Sequence, residues 1–356
     1  MIRLISRKPI DKSRIRRILI RSTNWVGDAV MTLPALESVK QNFPESSISV
    51  LAPPWVMPLF EHHPAVDEVV LYNKGKGFIS YLMELARIIT FIRKQEYDLA
   101  VIFQNAFEAA FLMFFGRVTY RFGYDTDGRG LLLTHRVAKK KEVLKEHQVE
   151  YYLSLLRAMG MNAISKDPVV YLSDVDMQSA ADILHSKGVQ KGDFLVGISP
   201  GAIYGEAKRW PPDRFAKIGD WAAERWQAKI LLMGSLKETD ICERVNDRMR
   251  KTAFNLCGRT SLSEAMCIIK LCGFFVTNDS GLMHVAAALG VPTVAVFGST
   301  DPIATGPRGP HTRIVKHDIE CAPCLRKVCP GDFRCMLSIQ TEEVWDMMVR
   351  FKETLE

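Results

Sequence analysis

The sequence predicts an α/β protein built from two doubly wound parallel-sheet domains. Three observations carry that expectation. Short apolar runs of strand length alternate with segments of helix length along most of the 356 residues. Residues 273–300 hold a whole strand–turn–helix–strand unit with very short connections, as in an open parallel sheet. Residues 160–175, which include Ser165, Lys166, Asp167 and Pro168, carry few periodic apolar positions and read as a hinge. The expected division is residues 1–172, residues 173–340 and a terminal amphipathic helix at 341–356, a length that suits two domains.

In chain order, residues 1–15 read as a loosely held basic arm and Arg17–Arg21 as the first strand. A helix follows from about Ala29 to Asn42, with Asp28 as its N-cap; Pro34 inside it implies a kink or a late start. Strands are expected at Ile48–Leu51, Glu68–Leu71 and Leu99–Phe103, and helices at Val56–His62 and Phe78–Lys94. Residues 105–150 are less regular. Phe107–Phe115 is apolar enough for a buried helix, 124–130 reads as a loop, and Glu146–Met159 as a helix. The second series begins with a helix at Asp176–Lys187 and a strand at Phe194–Ile198. The loop Ser199–Pro211 comes next, then a helix opened by Pro212, a strand at Ile230–Met233 and helices at 238–251 and 261–271.

The segment 273–300 carries the densest chemistry. Phe274–Thr277 is a buried strand by its apolar run, Asp279 and Ser280 are N-cap residues, and an apolar helix follows from about Leu282 to Leu289. Gly290 suits its C-terminal cap, Pro292 ends it, and Thr293–Phe297 is the next strand. The turn 278–281 therefore lies where a strand ends and a helix begins. Its exposed N–H groups and the helix dipole suit a phosphate, Gly281 permits close approach, and His284 is one turn inside. The same pattern also describes a plain capped helix with a satisfied histidine.

Other candidates occupy similar strand-end turns. Asp28 is placed to take a proton from an attacking hydroxyl, or to cap a helix for ~1 kcal/mol. Lys208, beside Arg209, is placed to neutralise a departing diphosphate, or to be a solvated loop charge; Trp210 and Pro211 read as loop packing. Glu238, after Gly234, suits ribose hydroxyls or the positive end of its own helix. Cys321, Cys324, Cys329 and Cys335 have a spacing compatible with a tetrahedral thiolate zinc site but lack paired CxxC knuckles; free thiols or a redox-sensitive cluster are the alternatives. No dinucleotide fingerprint, P-loop or GxSxG elbow is present.

The formal net charge is +7, with basic residues dense at the start (Arg3, Arg7, Lys8, Lys12, Arg14, Arg16, Arg17, Arg21) and in Lys139-Lys140-Lys141 with Lys145. Such runs suit an anionic membrane surface or an acidic substrate. Without an RRM, KH or zinc-finger signature, nucleic acid is not an expected partner. No apolar run approaches the ~20 residues that span a bilayer, and the N-terminus lacks the apolar core of a signal peptide. A cytoplasmic protein is expected.

Ser22–Leu36 (STNWVGDAVMTLPAL), Lys208-Arg209-Trp210-Pro211 and Asn278-Asp279-Ser280-Gly281-x2-His284, in that order and spacing, resemble the bacterial heptosyltransferases of glycosyltransferase family 9, and most resemble its type II members. The resemblance implies a GT-B fold, two Rossmann-like domains facing across a cleft. The N-terminal domain would hold a lipid A–Kdo acceptor carrying one heptose, and the C-terminal domain ADP-L-glycero-D-manno-heptose. The terminal helix would pack back towards the first domain. Transfer would invert the anomeric carbon without metal or other cofactor, at the periphery of the inner membrane, in lipopolysaccharide core biosynthesis. Asp28 matches the general base, Lys208 the lysine that supports the leaving ADP, and Glu238 the acid on the ribose. Asp279, Ser280, Gly281 and His284 match the diphosphate turn. The rivals are type I or another activity of the family, and a non-catalytic nucleotide-sugar-binding protein.

Overall fold

A computed structural model describes residues 4–6, 10–75, 77–138 and 146–355. Arg3, Arg7 and Lys8 of the basic arm and the run Lys139-Lys140-Lys141 with Lys145 lie outside the described residues. The chain divides into two compact units, Met1–Pro168 and Val169–Glu356.

The first unit holds strands β1 (Leu4–Ser6), β2 (Arg17–Arg21), β3 (Ser47–Ala52), β4 (Glu68–Leu71), β5 (Leu99–Ile102), β6 (Tyr120–Tyr124) and β7 (His135–Val137). Its helices are α1 (Val26–Asn42), α2 (Pro58–Glu61), α3 (Phe78–Gln95), α4 (Phe107–Phe115) and α5 (Gln148–Ala158). The sheet order is β1-β7-β6-β5-β2-β3-β4, parallel except for β1, which runs antiparallel to β7. Strands in the middle of such a sheet are covered on both faces, so every residue of β5 is apolar and buried. Beneath α3 and α4, Leu19, Ala100 and Ile102 meet Ile88, Ile92, Leu112 and Met113.

The second unit holds α6 (Asp174–Ser186), β8 (Leu195–Ser199), α7 (Pro212–Arg225), β9 (Lys229–Leu232), α8 (Thr239–Asn246), β10 (Ala253–Asn255) and α9 (Leu262–Leu271). It continues with β11 (Phe274–Asn278), α10 (Gly281–Ala288), β12 (Thr293–Phe297), α11 (Pro302–Thr305), β13 (Thr312–Lys316), α12 (Arg334–Leu337) and α13 (Thr341–Glu353). All its strands are parallel in the order β10-β9-β8-β11-β12-β13. Counted within each unit, and leaving β1 aside, both sheets run 3-2-1-4-5-6, the doubly wound nucleotide-binding order.

Several local expectations are corrected. Residues 4–6 of the basic arm are a strand, and Asp11 caps a short 3-10 turn at Lys12–Arg14. Helix α1 begins at Val26 with Trp25 as its N-cap, so Asp28 sits inside the first turn rather than capping it. The helix runs through Pro34; the Ser38 hydroxyl donates to the carbonyl of Pro34 at 2.8 Å. Strands β6, β7, β10 and β13 were not legible, being short or polar. The terminal helix α13 buries its apolar face in the second unit. Val344, Trp345, Met348 and Phe351 join its core, and Phe351 meets Phe274 edge-on at 5.8 Å.

Candidate active site

In a 3-2-1-4-5-6 sheet the connections diverge on either side of strand 1. Ligands bind beyond the carboxyl ends of the strands at that switch point. In the second unit the switch lies between β8 and β11, paired with Ser199 opposite Thr277. The loop after β8 carries Lys208, and the turn after β11 carries Asp279. Parallel pairing thus makes two segments, distant in sequence, leave the sheet side by side.

Asn278 ties them together. Its side-chain carbonyl accepts the Trp210 N–H at 3.0 Å, and its amide donates to the Pro200 carbonyl at 2.7 Å. Trp210 is fully buried, and its indole N–H donates to the Ile339 carbonyl at 3.0 Å. With the loop so anchored, Lys208 Nζ reaches Asp279 Oδ2 at 2.5 Å. The Thr300 hydroxyl, from the turn after β12, donates to the same oxygen at 2.7 Å. Asp279 is 5% exposed. A carboxylate so buried is costly alone, and a paired ammonium with a hydroxyl donor offsets that cost. The Tyr204 ring lies 4.8 Å from Lys208 Nζ, and its hydroxyl donates to the Leu325 carbonyl at 2.9 Å.

Ser280 is the N-cap of α10, and its hydroxyl accepts the Met283 N–H at 3.3 Å. The other N–H groups of the first turn have no intrahelical acceptor, and with the helix dipole they form a seat for an anion. Gly281 is the first helical residue, and His284 is buried one turn further on. The seat therefore lies beside an ammonium already held by the preceding residue, Asp279.

Glu238 lies at the end of β9's connection, 6% exposed. Its Oε2 accepts the Ser235 N–H and hydroxyl, each at 2.8 Å, closing a capping box. Its Oε1 lies against Gly201 of the Lys208 loop. A Cβ at 201 would come within 2.1 Å of it, so a larger residue there would require the Glu238 carboxylate to move. Asp28 belongs to the first unit, on the connection after β2. It stands at that sheet's own switch point, between β2 and β5. Burial, and then the charge of Asp28, push the Tyr152 hydroxyl well above its ordinary range.

The structure thus brings Lys208, Asp279, Ser280 and Gly281 together and sets Glu238 against their loop. Thr300, Tyr204 and the bridging role of Asn278 were missed. Thr300 had a readable signal: Gly298-Ser299-Thr300-Asp301-Pro302 is another strand end running into a capped, proline-started helix. Tyr204 had none.

All eight cysteines are free thiols. Among the described residues no group of three or more His, Cys, Asp or Glu is arranged to hold a metal ion. Burial, then the nearness of Cys321, Cys324 and Cys329, raises the Cys335 thiol. The segment they share also braces the Lys208 loop and the turn after β12. The Leu325 N–H donates to the Ser299 carbonyl at 2.8 Å, and the Ala207 N–H donates to the Lys327 carbonyl at 3.1 Å.

Residues 85–333 match glycosyltransferase family 9, described as heptosyltransferase. The chain is similar to lipooligosaccharide heptosyltransferase 2 of Haemophilus ducreyi, 35% identical over 314 residues, 84% of this chain and 88% of that one. It is similar to lipopolysaccharide heptosyltransferase 2 of Salmonella typhimurium, 32% identical over 312 residues with the same coverage. Among solved structures it is similar to the Escherichia coli ADP-heptose lipopolysaccharide heptosyltransferase II. The TM-score is 0.80 at 26% identity, covering 94% of this chain and 98% of that one.

Proposed function

This chain belongs to glycosyltransferase family 9, and we propose that it transfers L-glycero-D-manno-heptose from ADP-heptose to the heptosyl-Kdo-lipid A inner core, with inversion. It is an enzyme of the GT-B fold class. The observation that carries the donor half of the reading is the Lys208–Asp279 pair at 2.5 Å beside the capped start of α10. The similarity to heptosyltransferases 2 favours the second heptose addition over the first.

The roles follow from the chemistry. The acceptor hydroxyl oxygen forms a bond to the anomeric carbon while the bond from that carbon to the diphosphate oxygen breaks. ADP leaves with the electron pair, and the acceptor's proton passes to the Asp28 carboxylate. Charge grows on the departing diphosphate. Lys208 and the first-turn N–H groups of α10 are already in place to meet it. Ser280, Gly281 and His284 line the diphosphate turn, and Glu238 takes ribose hydroxyls. Asp279 holds Lys208 in position rather than facing the phosphates, since two anions in contact repel. No step calls for a metal. Among the described residues no helix is long and apolar enough to cross a membrane. The lipid-borne acceptor is met at the cytoplasmic face of the inner membrane by peripheral contact.

Mass spectrometry of the product from ADP-heptose and defined acceptors tests the reading. A single added heptose is expected on the acceptor that already carries one, and none on bare Kdo-lipid A. Transfer to the bare acceptor alone would make this the first-heptose enzyme. ADP-heptose binding without transfer to any acceptor would make it a binding protein.

A further inference from the structure

We propose that Asn24 binds the acceptor sugar: a buried guanidinium grips its side-chain carbonyl and so leaves its amide N–H groups turned away as hydrogen-bond donors. This deepens the acceptor half of the reading above and rests on it. The first unit's switch point lies between β2 and β5, where Arg21 is paired with Ile102. Asn24 follows Arg21, and Asn105 follows Ile102, at the same interval of three residues. The two asparagines therefore flank the place where a doubly wound sheet takes its ligand.

Both are held in the same way. Arg21 closes β2 and is fully buried. Its Nη1 donates to the carbonyls of Ser22 at 2.7 Å and Leu51 at 3.2 Å, and its Nη2 to Asn24 Oδ1 at 3.1 Å. Arg129 is fully buried too. Its Nε donates to the Tyr124 carbonyl at 2.9 Å, its Nη1 to the Gln104 carbonyl, and its Nη2 to Asn105 Oδ1 at 3.0 Å. Each guanidinium thus holds two main-chain carbonyls and one asparagine, and none of these partners is a carboxylate. Burial draws both down to about 10, so both stay cationic at neutral pH. A buried cation with only neutral acceptors grips them firmly, because losing one leaves charge unsatisfied.

The grip decides which way each amide faces. A guanidinium has donors and no acceptor, so it can meet only the amide oxygen. The amide nitrogen then points away from it. In Asn105 that nitrogen is used inside the fold, donating to the Tyr151 hydroxyl at 2.7 Å. In Asn24 it meets no partner among the described residues, and the residue is part-exposed. The main chain of Asn24 is fixed as well, since its carbonyl accepts the Trp55 indole N–H at 2.7 Å. Asn24 precedes the N-cap Trp25, and Asp28 lies in the first turn of the same helix. One helix start therefore presents a neutral donor and a carboxylate that only accepts. Sugar hydroxyls both donate and accept, so an acceptor sugar can use the two together.

Steady-state transfer from ADP-heptose to heptosyl-Kdo-lipid A tests this on Asn24→Asp, Asn24→Ala and Asn105→Asp. Aspartate at position 24 keeps an oxygen for Arg21 but removes the donor. Its melting temperature is expected to match or exceed that of wild type, and its KM for ADP-heptose to stay within about twofold. Its KM for the acceptor is expected to rise at least about tenfold, the scale of one lost hydrogen bond. Asn24→Ala adds no charge and should show the same rise, which separates the lost donor from repulsion of an anionic acceptor. Asn105→Asp should leave both KM values unchanged, because the Tyr151 hydroxyl can turn to donate to the carboxylate. A wild-type acceptor KM in either Asn24 variant would overturn the proposal, as would an equal rise in Asn105→Asp. Transfer by wild type with unaltered Asn24 variants sinks this assignment alone, whereas no transfer by wild type sinks the reading beneath it as well.

Discussion

Asp279 Oδ2 receives two donors, Lys208 Nζ and the Thr300 hydroxyl, within 2.7 Å. In the proposed reaction a diphosphate would draw on the ammonium, and Thr300 would remain to hold the carboxylate that aims it. Thr300→Val should therefore lower kcat for heptosyl transfer about tenfold, the scale of one hydrogen bond to a charge. KM for ADP-heptose should stay within about twofold, and Thr300→Ser should restore most of the rate. Steady-state kinetics on the three proteins checks this; a rise in KM at unchanged kcat would contradict it. A second residue sets a pH limit. Burial pushes the His63 imidazole down from 6.5 to about 4. The unfolded chain takes up that proton near 6.5 and the folded chain only near 4, so protons favour unfolding between those values. Stability should be full above pH 6.5 and fall by about 3 kcal/mol as the pH drops towards 4. Urea melts across that range should show the slope, and His63→Gln should flatten it. At this scale Asp28, Lys208, Glu238, Asp279 and Ser280 stood out in the sequence because each sits at a strand-to-helix turn. Tyr204 touches its partners across loops, which spacing along the chain does not display; Thr300 sits at a readable strand end, but its partner Asp279 shows only once the sheet is built.

Among the elements, α10 shows how a short segment acquires a fixed, capped start. The buried run Phe274–Asn278 fixes β11, and Ser280 caps the helix that follows. Ser280→Ala should cost about 1 kcal/mol of stability through the lost cap; calorimetric titration should also show weaker ADP binding. Helix α13 illustrates what local pattern leaves open. Its amphipathic period was plain from Thr341 onward, but which sheet it covers is a tertiary matter, decided by the apolar faces of α7, β12 and β13. Phe351, 2% exposed, packs on Phe274 and lies 4.3 Å beneath the Arg313 guanidinium. Phe351→Ala should destabilise the second unit by about 3–5 kcal/mol, read as an earlier denaturant transition; a change under 1 kcal/mol would show that α13 is not part of its core. The long central strands were legible from continuous apolar runs. Strands β6, β7, β10 and β13 were not, because their apolar runs are short or broken by polar residues (YRFGY, HRV, AFN, TRIVK), and β10 and β13 are edge strands without a two-sided apolar signature.

Across the whole molecule, two sheets of the same strand order place their chemistry alike, beyond the carboxyl ends and at the switch point. The first unit carries Asp28 and the chain's net positive charge, and the second carries Lys208, Asp279 and the capped start of α10. The two parallel sheets were readable in outline from the alternation of apolar strands and helices. Single-turnover transfer and ADP-heptose affinity, measured side by side for wild type and Asp28→Asn, test the account most directly. The account expects donor affinity within about twofold and a transfer rate lower by at least about 10²-fold, the usual loss on removing a general base. Transfer by Asp28→Asn at the wild-type rate would contradict it.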